Sequence, residues 1–81
     1  MQRFEITPVA YKVCGYDEVP EGEAVFWAVT HYQEDVPRYG SGWFPAYVFE
    51  PLAGKVYDYM YRSRAMAEHG LEVYKQRKGL V

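Results

Sequence analysis

Three residues have side chains that commonly act as nucleophiles, proton carriers or soft metal ligands: Cys14, His31 and His69. Their spacings do not match a zinc site, whose ligands come in short paired intervals. His31 alternates along the chain with Trp27 and Val29, which favours a partly buried structural histidine. No carboxylates have a spacing that implies an acid/base pair. We therefore expect no enzymatic activity, no cofactor and no metal, and an enzyme that uses Cys14 or His31 is the third-ranked hypothesis.

Alternating tyrosines form a second candidate site, which would bind single-stranded nucleic acid. In a strand, residues two apart share one face, and exposed rings on a sheet stack on nucleic-acid bases. Cationic side chains that follow in the sequence would contact the phosphates. The competing interpretation is that these rings pack beneath a helix as core. This alternative nucleic-acid site comprises Tyr57, Tyr59, Tyr61, Arg62, Arg64 and Lys75.

A polar segment over residues 33–42 suggests a protein interface. It combines tyrosine and arginine with flexible glycines, which is typical of interface hot spots. Its glycines do not match a phosphate-binding pattern. If the alternating tyrosines are core, the aromatic and acidic residues on the opposite face of the same hairpin are exposed. The predicted protein interface comprises Glu34, Asp35, Arg38, Tyr39, Trp43, Tyr47 and Asp58.

Composition indicates one small soluble domain over residues 1–81. The chain has 19% aromatic residues and a net charge of −2, so a few large rings can supply its core. Residues 1–61 have four Lys and Arg against nine carboxylates, whereas residues 62–81 have five against two. No apolar run approaches the ~20 residues that span a bilayer, and the first residues lack the apolar segment of a signal peptide. With one cysteine, we expect a cytoplasmic protein that makes no membrane contact.

The first half of the chain predicts two strands. Residues 3–14 alternate with period two, and Pro8 requires an edge position or a bulge there. Residues 15–22 contain Asp, Pro and Gly and predict a turn. Residues 24–32 are apolar on both alternating faces, which is typical of a central strand covered on both sides. Residues 33–42 then predict a long polar loop.

The second half predicts a hairpin followed by a helix. Residues 43–62 are interpreted as two strands joined by residues 50–55, with Val48 opposite Tyr57; a helix that starts at Pro51 is the competing interpretation. Residues 63–78 predict a helix capped by Ser63 and ended by Gly79. A glycine within this helix at position 70 costs about 1 kcal/mol. If it breaks the helix, residues 71–76 become a fifth strand.

These elements predict an α+β fold, with a small, mainly antiparallel four-stranded sheet and one C-terminal helix packed on one face. A small barrel or an added final strand are the alternatives. We predict a non-catalytic protein-binding module, an accessory or inhibitor protein whose partner is basic or nucleic-acid-associated. Single-stranded nucleic-acid binding through the tyrosines is the alternative. Pairing of two copies through an exposed strand stays open.

Overall fold

The computed structural model describes residues 3–80, and the predicted α+β class is confirmed. An antiparallel sheet of several strands has one C-terminal helix packed on it. The prediction of four strands is wrong, because the described residues form six. No helix in residues 3–80 is long and apolar enough to cross a membrane. The elements are β1 Phe4–Lys12, β2 Gly15–Glu18, a 3-10 turn Glu21–Glu23, β3 Phe26–Val36, β4 Gly40–Pro45, β5 Lys55–Tyr57, β6 Met60–Tyr61 and α1 Arg64–Lys78.

Strand β3 is the centre of the sheet, as its two apolar faces predict. The strand order is β2-β1-β3-β6-β5, and β4 also pairs with β3. The Val29 N–H donates to the Tyr59 carbonyl oxygen at 2.9 Å, and the Val29 carbonyl accepts from the Ala46 N–H at 3.0 Å. The N–H and C=O groups of one strand residue point to the same side of the strand. Strands β4 and β6 therefore lie along the same edge of β3, one after the other along its length.

The predicted turn over residues 15–22 is wrong in its first half. Residues 15–18 form β2, which pairs with β1 across the two-residue turn Val13–Cys14. Gly15 has φ +125°, a conformation that only glycine adopts without strain, and it permits this tight connection. Pro8 accepts a hydrogen bond from the Val19 N–H at 3.0 Å, just beyond the end of the β1–β2 ladder. Its missing N–H therefore faces away from β3 and breaks no ladder bond.

The predicted long loop over residues 33–42 is also wrong. Strand β3 continues to Val36 and β4 begins at Gly40, so only residues 37–39 connect them. The Tyr39 N–H donates to the Val36 carbonyl at 3.0 Å. Arg38 has φ +74° in this turn, and Asp35 has φ +54° where the strand register shifts. A bulge and a tight turn thus replace the flexible loop that the polar composition suggested.

The predicted hairpin over residues 43–62 does not form. Strand β4 pairs with β3 instead, and residues 46–54 contain no strand. The predicted pairing of Val48 with Tyr57 is replaced by a hydrogen bond from the Val48 N–H to the Asp58 carbonyl at 2.8 Å. The three-residue turn before β4 makes pairing with β3 the shortest loop closure available. Strands β5 and β6 form a separate short hairpin.

The helix agrees with its prediction at both ends. The Ser63 hydroxyl accepts from the Met66 N–H at 3.2 Å, and Gly79 has φ +68°. The Leu80 N–H donates to the Lys75 carbonyl at 2.8 Å, which completes the cap. Because α1 continues through Gly70, the alternative final strand is wrong. The two ends of the strand order, β2 and β5, do not pair with each other, so the sheet is not closed into a hydrogen-bonded barrel, although the ring centroids of Tyr16 in β2 and Tyr57 in β5 lie 6.0 Å apart.

The sheet separates the core into two clusters, one on each of its faces. On the face that α1 covers, Val29, Val48 and Tyr61 are fully buried beside Ala67 and Tyr74. The opposite face is free of helix and contains only a small cluster. That cluster comprises Val9, Phe26, Ala28 and Met60.

Candidate binding groove

The helix-free face of the sheet contains a groove. Two depressions of about 400 and 290 Å³ adjoin there and share Tyr16, Tyr59 and Met60. Val9 and Ala28 of the small cluster also line it. We call this surface the aromatic groove. Its rings are Tyr16, Trp43, Tyr47, Tyr57 and Tyr59, and its carboxylates are Glu5, Glu18 and Asp58.

Strand alternation brings these side chains to one face. In β1 and β2, Val9 lies opposite Glu18 and Tyr11 lies opposite Tyr16. In β3 and β4, Tyr32 lies opposite Trp43, with their ring centroids 5.6 Å apart. Side chains of paired residues point to the same side of a sheet. The groove therefore takes residues from the six strands β1 to β6 and from the β5–β6 turn.

Tyr16 is the centre of an edge-to-face ring cluster. Its ring centroid lies 5.2 Å from that of Tyr11, 5.9 Å from Phe26 and 6.0 Å from Tyr57. A hydrogen bond with Tyr57, and burial second, raise the pKa of Tyr16 above its ordinary value. Burial likewise raises the pKa of Tyr59. Both side chains are therefore neutral phenols near pH 7, and the charge of the groove comes from its carboxylates.

The aromatic groove is acidic. Glu5 and Glu18 have no ion-pair partner among residues 3–80, and Asp58 lies 3.7 Å from the Lys55 ammonium. Within the described part of the chain, no lysine or arginine lines the groove. An open concave surface with carboxylates among aromatic rings is suited to hold a cation.

One cation of the chain already stacks at the rim of the groove. The Arg3 guanidinium carbon lies 4.1 Å from the centroid of Tyr32 and 5.8 Å from that of Trp43. These distances lie within the ~6 Å range of cation–π attraction. The Trp43 side chain is still 45% exposed, so part of its surface is free to contact a partner.

The predicted interface residues lie in two separate places. Trp43, Tyr47 and Asp58 line the aromatic groove. The other four predicted residues, Glu34, Asp35, Arg38 and Tyr39, lie at or beside the β3–β4 turn, exposed and outside the groove lining.

Among the rings and carboxylates of the groove, three lie outside the predicted site residues: Glu5, Tyr16 and Glu18. The latter two were assigned to a turn. The signal that could have found them is the alternation of Tyr16 and Glu18, which mirrors that of Val9 and Tyr11 across a short turn with a glycine. Glu5 faces the same way because it lies opposite Thr30 of β3, which also lines the groove.

The alternative nucleic-acid set does not share one face. Tyr57 and Tyr59 line the aromatic groove, but Tyr61 is fully buried beneath α1. The prediction that these three tyrosines form one ladder is therefore wrong, because the β5–β6 turn at residues 58–59 breaks the alternation.

The cations of that set lie elsewhere. Arg62 is exposed just before the helix. The Arg64 guanidinium carbon lies 5.6 Å from the Trp27 centroid, and the Lys75 ammonium lies 5.2 Å from the Phe4 centroid. Arg64 and Lys75 are thus on the helix side of the sheet.

Cys14, His31 and His69, the three residues that could act in catalysis, do not form a common site. Cys14 is exposed in the β1–β2 turn, and His69 is exposed on α1. His31 is buried, as the alternation predicts, and accepts or donates hydrogen bonds with Gln33 and Tyr74. Residues 3–80 contain no cluster of three or more His, Cys, Asp or Glu side chains that could hold a metal ion.

Comparison with known proteins finds no family model, no curated protein and no solved structure that matches this chain. The geometry and charge of the aromatic groove are therefore the basis for a functional proposal.

Proposed function

We propose that this protein is a small non-catalytic binding module that holds an arginine- or lysine-bearing segment of a larger protein in the aromatic groove. The observation that carries the proposal is the composition of the groove lining. Five aromatic rings are interspersed with Glu5, Glu18 and Asp58, and no described lysine or arginine is among them.

Charge complementarity favours a basic occupant. A cationic side chain in the groove would meet Glu5 and Glu18, neither of which has an ion-pair partner among residues 3–80. Pairing there requires little loss of existing interactions, since neither carboxylate leaves another ion pair. Complementary charges of this kind accelerate association and select the partner more than they add raw affinity.

The rings add a second source of recognition. A guanidinium over Tyr or Trp contributes about 0.5–2 kcal/mol, depending on how well it is desolvated. Trp43, Tyr47 and Tyr57 are each nearly half exposed and so can cover the stem and head of an arginine. Arg3 over Tyr32 and Trp43 is an intramolecular example of the same contact.

The same charges disfavour a nucleic acid in the aromatic groove. Its phosphates would approach Glu5, Glu18 and Asp58, and like charges repel. Two of the three cations predicted to contact phosphates, Arg64 and Lys75, contact Trp27 and Phe4 on the helix side. Tyrosine stacking on bases would have to overcome this repulsion with no described lysine or arginine in the groove lining.

A basic target protein would give this module an accessory or inhibitory role. Proteins that handle nucleic acids present basic surfaces to phosphate. A module that occupies such a surface with carboxylates would compete with the nucleic acid.

The experiment is a nuclease-treated affinity purification from lysate with matched charge variants. Glu5→Lys/Glu18→Lys reverses the groove charge, and Glu68→Lys/Glu72→Lys makes the same change on exposed helix positions. We expect a basic partner to be retained by the wild type and by the helix variant and lost with the groove variant. Equal retention by both variants, or recovery that depends on nucleic acid, would contradict the proposal.

A further inference from the structure

A second cleft lies on the helix side of the sheet, where α1 ends beside β4. Its volume is about 630 Å³, within the range of small-molecule sites. Phe44, Pro45, Phe49 and Leu80 form its apolar walls. Phe49 stacks on Tyr47 with 5.8 Å between ring centroids and 19° between planes, which makes one wall flat. We call this the helix-end cleft.

Polar groups converge in the helix-end cleft. The Gln33 amide nitrogen lies 3.0 Å from Nε2 of His31, and the Tyr74 hydroxyl lies 3.2 Å from Nδ1 and 3.3 Å from Nε2 of the same ring. These contacts hold the Gln33 amide and the Tyr74 hydroxyl beside the His31 ring. When a ring nitrogen of His31 donates to the Tyr74 oxygen, the hydroxyl hydrogen of Tyr74 can be donated to a ligand.

Lys78 supplies a second donor beside Tyr74. The two residues are four apart on α1 and so share one face of the helix, and the Lys78 ammonium lies 5.8 Å from the Tyr74 ring centroid. Lys78 also lines the cleft. It forms no ion pair within residues 3–80, whereas the neighbouring Arg77 pairs with Glu50.

The end of a helix has partial negative charge, which would oppose an anion. In this protein the cap reduces that effect, because the Gly79 and Leu80 N–H groups bond to the carbonyls of Gln76 and Lys75. Burial, and the charge of Lys78 second, lower the pKa of His31. His31 is therefore neutral near pH 7, and Lys78 is the positive charge of the cleft.

We propose that the helix-end cleft binds a compact apolar group with a carboxylate, such as an arene carboxylate. The apolar body lies between Phe44, Phe49 and Leu80, and the carboxylate accepts from the Tyr74 hydroxyl and the Lys78 ammonium. The helix-end cleft differs from the aromatic groove in its charge and in the side of the sheet on which it lies, and the two share Tyr47 as a lining residue.

The test is a titration of the ¹⁵N-labelled full chain, followed by amide chemical shifts. The probes are 2-naphthoate, its neutral analogue 2-naphthalenemethanol, and acetyl-Gly-Gly-Phe with a free carboxylate, which distinguishes a free acid from a peptide terminus. A fragment of this size is expected to bind with a Kd of about 1 mM. The amides of Phe44, Phe49 and Leu80 should shift together.

Two charge variants decide the result. Lys78→Glu should weaken carboxylate binding about tenfold, and Lys75→Glu, an equal charge change outside the cleft lining, should leave it unchanged. Saturation by either acid with this selectivity supports the site and identifies the source of the carboxylate. Saturation by neither acid, equal binding of the neutral analogue, or equal losses in both variants would overturn it.

Discussion

Gly70 of α1 packs directly on the ring of Tyr61, which is fully buried. A β-carbon added to Gly70 would overlap the hydroxyl oxygen and Cζ of Tyr61 and would lie 2.8 Å from its Cε2. The helix thus crosses β6 at its one internal glycine. The glycine that lowers the helix propensity of α1 therefore leaves the space in which Tyr61, the largest fully buried side chain, fits beneath the helix.

Gly70→Ala should destabilise the fold although alanine is the better helix former. Alanine gains about 1 kcal/mol in helix propensity, but the added methyl group has no space against a buried ring. We expect a net loss of about 1–3 kcal/mol in the free energy of unfolding, measured by urea denaturation. Gln76→Ala, at an exposed position of α1, is the control and should change stability little. A Gly70→Ala protein as stable as the wild type would show that the helix does not pack this closely.

Tyr61→Phe should not destabilise the protein. The Tyr61 hydroxyl is buried and has no hydrogen-bond partner among the described residues, and burial raises the pKa of Tyr61. Removal of an unsatisfied polar group is expected to raise the free energy of unfolding by up to about 1 kcal/mol. A clear loss of stability in the same urea experiment would indicate that the hydroxyl has a partner.

Stability should fall as the pH decreases below about 6.5, the ordinary pKa of histidine. Burial and Lys78 lower the pKa of His31 in the folded protein, so the unfolded chain binds the proton first. The stabilisation from neutral His31 is complete above the unfolded pKa and is lost as the pH falls towards the folded one. Chemical denaturation at pH 7 and pH 5 measures this loss. In His31→Phe the loss over this interval should be smaller, and an unchanged pH dependence would exclude His31 as its source.

Arg38→Gly should make the fold slightly more stable. Arg38 has φ +74°, where a side chain costs about 1–2 kcal/mol, and glycine relieves that strain while it loosens the unfolded chain. The expected gain is about 0.5 kcal/mol. Gly40→Ala is the reciprocal variant, because Gly40 has φ +72° and open space around it, and it should lose about 1 kcal/mol. A less stable Arg38→Gly protein would mean that the Arg38 side chain stabilises the turn.

Alanine at Trp43 should weaken partner binding much more than alanine at Tyr39. Both were predicted as interface residues, but only Trp43 lines the aromatic groove, while Tyr39 lies in the β3–β4 turn. Loss of a central aromatic contact costs about 2 kcal/mol, or about 30-fold in Kd. Isothermal titration with the purified partner measures both variants. A larger effect from Tyr39 would move the interface to the turn.

Local signals in the sequence predicted the elements that local interactions determine. The helix agrees with its Ser63 cap and its Gly79 stop because both are satisfied within one turn of backbone. The central strand β3 follows from apolar residues on both of its faces. The same alternation placed His31 in the interior.

Which strands pair with each other could not be predicted from such local signals. Trp43 and Phe44 have the alternation of a strand whichever neighbour they pair with, and the choice of β3 depends on the left-handed conformation of Arg38 in the preceding turn. Polar composition made that turn resemble a loop. The aromatic groove depends on these pairings, so only Trp43, Tyr47 and Asp58 of its lining were among the predicted interface residues.

The central claim is that the aromatic groove recognises cationic side chains, and direct peptide binding tests it. We would measure fluorescence anisotropy with three labelled probes: an arginine-rich peptide, its glutamate counterpart and a thymidine oligonucleotide. Each probe is titrated with the wild type, with the groove variant Glu5→Lys/Glu18→Lys and with the helix variant Glu68→Lys/Glu72→Lys. The arginine peptide should bind, more weakly at higher salt. Glu5→Lys/Glu18→Lys should weaken it at least about tenfold, and Glu68→Lys/Glu72→Lys should not. Equal weakening in both variants, or tighter binding of the oligonucleotide, would contradict the account.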